Sequence, residues 1–486
     1  LVLLVVAGFA TQLGKIKLDA SADSLLLQGD PALEYYREIG REYRSEEFLI
    51  ITWQPHADLL DAGSLEPLAA MAAQLRDLDG VASVVTVLDV PLLQSPPVTL
   101  TDITSGQPLP TLAGEGADRG MALRELTTSP IYADLLASRD GTVSAVQINL
   151  ERDAVYNRLL DEREALRRLD ARGDLNPDQA VELGRAEKAF KQHTAIALER
   201  HQTLVAQVRQ IAGQYTAYAD IFVGGVPMIA ADMVSFVRSD LVVFGVAILG
   251  LMMVVMAVIF RRVRWVVIPL LSCASTLTII LGLLGATDWR MTVISSNFVA
   301  VLLIITLALT IHLIVRYREL HLLSPEGALR QRVIDTVRLM AVPCVYTAMT
   351  TVVAFVSLVV SGIQPVIDFG LMMTVGIVVA LIVVFLMVPC LMLVWPGADA
   401  PPAHTDGTPL TLRFARIADH HGRAILLGSA LLVAAIVLGI SRLEVENRFI
   451  DYFSDTTEIY QGMELLDLKL GGTIPLDIIL DAPDDE

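Results

Sequence analysis

Apolar and polar residues are very unevenly distributed along the chain. Five stretches are almost uninterrupted apolar runs: Leu241 to Phe260, Trp265 to Ala286, Met291 to Val315, Leu339 to Ser361 and Val366 to Trp395; Ala424 to Ile440 is a shorter sixth. A helix needs about 20 such residues to cross a hydrocarbon layer about 30 Å thick, so each run predicts a membrane span. The sequence also opens inside an apolar run, Leu1 to Phe9, with no initiator Met and no basic flank. That pattern reads as the remnant of a first span over residues 1–13, not as a signal peptide. Spans two to six then fill 239–395 and span seven 423–440.

Elsewhere the periodicity changes. Phe48 to Trp53 and Val81 to Leu88 read as strands, Leu65 to Leu78 as an apolar-striped helix between them, and Ser144 to Leu150 and Ile221 to Val223 as two further strands. Residues 14–238 therefore predict an α+β domain. Inside it, 153–213 reads as a helical hairpin broken at Arg172 to Pro177, with Asn176 as N-cap, Pro177 as first helical residue and Gln179 as capping-box partner. Leu183, Phe190, Ala197, Leu204 and Ile211 recur every seven residues, so one stripe packs on another helix. Glu162, Arg163, Arg167, Arg168, Glu182, Arg185, Glu187 and Lys188 crowd the other faces and predict a solvated arm. Such an arm either buttresses its own domain or docks a partner.

Charge orients these segments. The 486 residues are 54% apolar and 19% charged with a net charge of -18, which excludes an ordinary soluble enzyme and argues against a nucleic-acid partner. Residues 239–440 nonetheless hold nine acids against twelve arginines, a surplus of three that leaves -21 for the rest. Arg261, Arg262 and Arg264 follow the second span; Arg316, Arg318, Arg330, Arg332 and Arg338 follow the fourth; Arg413, Arg416 and Arg423 follow the sixth. The alternate loops contain Arg290 alone. Arginine-rich short loops stay in the cytoplasm, which puts 14–238 and 441–486 on the far side, in a periplasm or outside the cell. Residues 396–422 then form a cytoplasmic Pro/Gly-rich linker followed by Leu410 to His421. There Leu412, Phe414, Ile417 and Ala418 supply the apolar side of a surface-lying helix, or the stretch is a frayed approach to span seven.

Enzyme chemistry finds no foothold. Cys273, Cys344 and Cys390 lie in apolar runs, which gives no disulfide framework and no thiol catalyst. No metal-ligand spacing, phosphate loop or nucleophile elbow is present, and the adjacent His420 and His421 point apart on a helix. No cofactor and no metal are expected.

The chain also matches itself. Gly14, Lys17, Leu18 and Asp19 correspond to Gly439, Arg442, Leu443 and Glu444 at a constant spacing of 425, as do Asp30 and Tyr35 to Asp455 and Tyr460. Both stretches follow an apolar span and run on to a strand, FLIIT at 48–52 and LDIIL at 476–480. The expectation is a pseudo-repeat: one unit of span, exported domain and five spans, then the truncated start of a second exported domain at 441–486.

Local motifs carry a resemblance. In this order they are LDGVASVVTVLDVP at 78–91, GGVPMIAADMVSFVRSDL at 224–241, IHLIVRYREL at 311–320 and VPCLMLVWP at 388–396. Over essentially the whole chain the sequence resembles the resistance-nodulation-division (RND) transporter superfamily, in particular its MMPL-type, Patched-like exporters. The resemblance implies a multi-span α-helical membrane protein with an α+β periplasmic porter-like domain. It implies a bacterial inner-membrane exporter of hydrophobic or amphipathic, lipid-like cargo; separately, a continuous helix of 35 residues from Asp178 to Ala212, about 50 Å long, has the reach to contact a periplasmic carrier or second subunit. A protein-export accessory of the translocon-associated branch and a Patched-like lipid or sterol sensor share the architecture.

One departure matters. Proton-driven members carry an Asp two or three residues before the Ile-His-Leu that matches Ile311 to Leu313, and here those positions are Leu309 and Ala308. Asp368, at an outer edge, is the one carboxylate in the apolar runs. The polar residues left as coupling or cargo candidates are Asn297, Thr306, Thr310 and His312, each with a plainer reading. For the threonines that is a bond to the backbone of their own helix; for Asn297 and His312 it is an interhelical or interfacial hydrogen bond. Gly224, Gly225 and Pro227 form either a hinge between domain and membrane or a tight turn.

Overall fold

The computed structural model describes residues 2–19, 32, 35, 38–40, 47–95, 97, 109–114, 117–292, 294–395, 410–443 and 453–472. The linker 396–409, Asp30, Glu444 and the strand expected at 476–480 lie outside the described residues.

Described helices, in chain order, are α1 (Val2–Ala10), α2 (Ala62–Arg76), α3 (Arg119–Thr128), α4 (Ala154–Arg172), α5 (Pro177–Ala212), α6 (Val226–Phe260) and α7 (Val263–Thr287), then α8 (Phe298–Leu323), α9 (Leu329–Val356), α10 (Gln364–Val394), α11 (Leu410–His420), α12 (Gly422–Ile440) and α13 (Glu458–Lys469). Strands are β1 (Leu18–Asp19), β2 (Phe48–Pro55), β3 (Val81–Val85), β4 (Ser144–Leu150), β5 (Ala219–Gly224) and β6 (Met291–Thr292).

β2 to β5 form one antiparallel sheet in the order β3-β4-β2-β5, with Ile51 opposite both Val146 and Val223. Leu49, Ile51 and Trp53 alternate toward one face, where Leu68, Met71 and Leu75 of α2 and Leu204, Val205 and Val208 of α5 complete a closed core. Helix α13 lies against β5 and β2.

The hairpin has the expected caps. Asn176 and Gln179 satisfy each other's backbone N–H, and α5 is a single helix of 36 residues. Phe190 and Leu204 of the heptad stripe are buried. Arg163 departs from expectation. It leaves the solvated face and lies buried, its guanidinium 3.9 Å from the Phe190 ring centre and 2.7 Å from Glu164. The aromatic face and the neighbouring carboxylate together compensate the charge. The hairpin is thus core at its base and solvated further out.

Among the described residues, six helices are long and apolar enough to cross a membrane: α6, α7, α8 with its preceding turn, α9 with its following turn, α10 and α12. They overrun the apolar stretches that mark them, because helices continue past the hydrocarbon edge. Arg316 and Arg318 sit on the end of α8, Arg330, Arg332 and Arg338 on the start of α9, and the loop between is only 324–328. Arg332 closes that loop by donating to the carbonyls of Ser324, Pro325 and Gly327 at 2.9 to 3.1 Å. The fourth span starts later than its apolar run. Met291 and Thr292 pair in parallel with Leu18 and Asp19, and a reciprocal Thr292–Ser295 bond pair then starts the helical turn. Helix α8 packs on α6, α7, α9 and α10. Helix α1 crosses α7 so closely that a side chain at Gly282 would strike the Phe9 carbonyl. Helix α11 is distinct from α12, with Phe414 and Ile417 exposed, and α12 buries none of its residues. Leu412 lies nearly opposite Phe414 around the helix, so it falls off the apolar side assigned to it.

Candidate functional site

The four coupling candidates stand on or next to α8 but do not converge. Thr306 and Thr310 are fully buried. Each hydroxyl donates backwards along its own helix, to the Leu302 carbonyl at 2.7 Å and the Thr306 carbonyl at 2.9 Å. Asn297 and His312 are exposed on the outward stripe of α8, shared with Ile304, Ala308 and Val315. The two positions where the family's carboxylate would fall are divided the same way: Ala308 lies on the outward stripe and Leu309 in the core. In the six long helices the carboxylates lie outside the apolar runs, at Asp232, Asp240, Glu319 and Asp335, or at the edge of one, at Asp368. Asp368 accepts a hydrogen bond from the Trp289 indole at 3.1 Å.

Gly224 ends β5, Gly225 caps α6 with φ +119, and Pro227 lies buried in the first helical turn. A side chain on Gly225 would come within 2.7 Å of the Phe48 carbonyl and would be strained at that φ. The elbow is therefore packed tightly on β2, the geometry of a turn. From it α6 runs unbroken for 35 residues, carrying the sheet-and-helix unit directly into the bundle.

Three contacts between elements were not legible in the sequence. Arg209 of α5 makes a two-pronged bond to Asp232 of α6, both distances 2.6 Å, and its Nε lies 3.1 Å from Glu458 of α13. The bond to Asp232 raises the Arg209 pKa above its ordinary value. A cavity of about 250 Å³ opens beside it, floored by Ala212, Ile221 and Val223. Buried Arg290 donates to the Lys191 carbonyl of α5 at 2.6 Å. Arg264, also buried, donates to the Met392 carbonyl near the end of α10 at 2.9 Å and stacks over Trp265. Partner choice across tens to hundreds of residues has no local signal; the lone arginine of the outer loops, Arg290, was the nearest thing to one.

Residues 190–424 match the MMPL family model, from Phe190 in α5 to the first turn of α12. A Streptomyces coelicolor protein described as a membrane protein is 26% identical over 289 residues, which is 56% of this chain and 33% of that relative. The matched stretch thus spans about a third of the relative's length. With six described helices fit to cross a bilayer and a match to the MMPL family model running through five of them, the chain is that of a membrane protein similar to the MMPL family.

Proposed function

We propose that the protein is an RND-type exporter of the bacterial inner membrane that moves hydrophobic or amphipathic, lipid-like cargo from the membrane toward the periplasm or outer envelope. One observation carries the reading. The MMPL-family match covers both the bundle and α6, the unbroken helix that joins the bundle to a sheet-and-helix unit able to face cargo. The arginine asymmetry supports an outward position for that unit. Because the six helices hold no carboxylate at mid-span, the reading leaves energy coupling to other groups. The same feature favours a second reading, a lipid sensor that binds without transporting.

Orientation is tested by cysteine labelling of whole cells with an impermeant maleimide. Arg139, whose side chain is 78% exposed, offers an accessible position. Arg139→Cys should label from outside and Glu326→Cys should not; the reverse pattern contradicts the exporter. Proteoliposomes with an imposed ion gradient separate the two readings. Gradient-dependent transfer of a fluorescent acyl lipid supports export, and binding without transfer under any gradient supports sensing.

A further inference from the structure

Helix α5 is tied at two places to helices that continue into the membrane: to the corner that follows α7, and to the outer end of α6, ahead of its apolar run. At the first, Arg290 donates to the Lys191 carbonyl from the corner that follows α7. Each residue of that corner reaches a different element. Asp288 pairs with Lys17 at 2.9 Å, Trp289 donates to Asp368 of α10, and Arg290 reaches α5. Beside it β6 pairs with β1. The corner is therefore held on three sides. At the second place, Arg209 holds Asp232 of α6 in two parallel charge-assisted bonds, the geometry that fixes orientation as well as distance.

Lys191 and Arg209 are eighteen residues apart, about 27 Å along a helix axis, and fourteen further residues, about 21 Å, overhang from Lys191 to Pro177. The overhang carries α4 with it, because Arg167 pairs with Glu187 at 2.9 Å and Arg163 covers Phe190. We propose that α5 is a rod clamped at two points, Arg290–Lys191 and Arg209–Asp232, through which displacement of α6 against the α7–α8 corner is passed to the solvated end of the hairpin. With Arg290 as pivot, a sideways shift at Asp232 moves the tip the opposite way by about three quarters as much, the ratio of the two rod lengths.

Hydrogen exchange read by mass spectrometry on the whole purified chain tests the clamps. Arg290→Met should speed exchange over 161–188 at least fivefold, while Trp289→Phe, which alters the same corner without touching α5, should stay within twofold of the unchanged protein. Arg209→Met should speed exchange over 198–212 and 226–238. Should Arg290→Met fail to fold, Arg290→Lys keeps the buried charge but not the guanidinium, and it too should loosen the arm. Unchanged exchange over 161–188 in the folded Arg290 variant overturns the proposal, and so does a Trp289→Phe effect as large as that of Arg290→Met.

Discussion

The sheet-and-helix unit is tied across its elements by charged pairs, whereas in the membrane bundle hydroxyls close on their own helices and the polar ties Arg264 to Met392 and Trp289 to Asp368 lie toward the helix ends. In the unit, side chains reach across elements: Arg209 to Asp232 and Glu458, His193 to Asp153, and Lys469 to Asp140. In the bundle, hydroxyls turn back on their own helices, Ser272 to Ile268, Thr306 to Leu302, Thr336 to Arg332 and Thr374 to Gly370. A helix whose polar groups are closed internally can shift against its neighbours without breaking a hydrogen bond. A unit tied by ion pairs between elements moves as one piece. The contrast teaches where a shift would break the fewest bonds, between membrane helices, and in the proposed transmission it is α6 and α5 that pass such a shift to the outer unit.

The contrast can be broken first at the cross-ties. Arg209→Ala leaves Asp232 largely buried without its partner, which should cost about 1.5–3 kcal/mol and lower the melting temperature in detergent. Next comes the elbow. Gly225→Ala meets both the Phe48 carbonyl and a φ of +119, an expected loss of about 1–3 kcal/mol, whereas Gly184→Ala, with open space around it in mid-helix, should gain about 0.5–1 kcal/mol in the same assay.

Acid sharpens the comparison more gently. The Lys469 ammonium, helped by Ser138 and Thr142, holds the Asp140 carboxyl well below the usual carboxylate range. Because the folded value is depressed, the contact contributes fully above the ordinary carboxylate pKa of about 4 and fades as pH falls below it. The protection of α13, taken against the intrinsic exchange rate at each pH, should therefore fall as pH drops below about 4 toward the depressed folded value, with no matching change in α8. The smallest effect is expected inside the bundle. Thr306→Val and Thr310→Val each remove one bond internal to a helix, so stability should fall by less than about 1 kcal/mol and activity only in part.

What was legible in the sequence follows the same divide. Span positions, the sheet strands and the capped hairpin are written in local periodicity and in residues such as Asn176 and Gln179, which act on neighbours three positions away. The start of α8 was misplaced because Met291 is as apolar as the span it precedes, and its pairing with Leu18 depends on a distant segment. Arg163 was assigned to solvent because its burial depends on Phe190 of another helix. Of the candidate site, the backward-bonding threonines were foreseeable from i to i−4 geometry, whereas the outward stripe holding Asn297, Ala308 and His312 emerges only once the neighbours of α8 are in place.

The divide itself is tested most directly by two double-mutant cycles in one stability assay. Arg209→Met with Asp232→Leu should show a coupling of about 1.5–3 kcal/mol, while Thr306→Val with Thr310→Val should be additive within about 0.5 kcal/mol, since neither hydroxyl bonds to the other's side chain. An additive Arg209–Asp232 cycle beside a strongly coupled threonine pair would contradict the account.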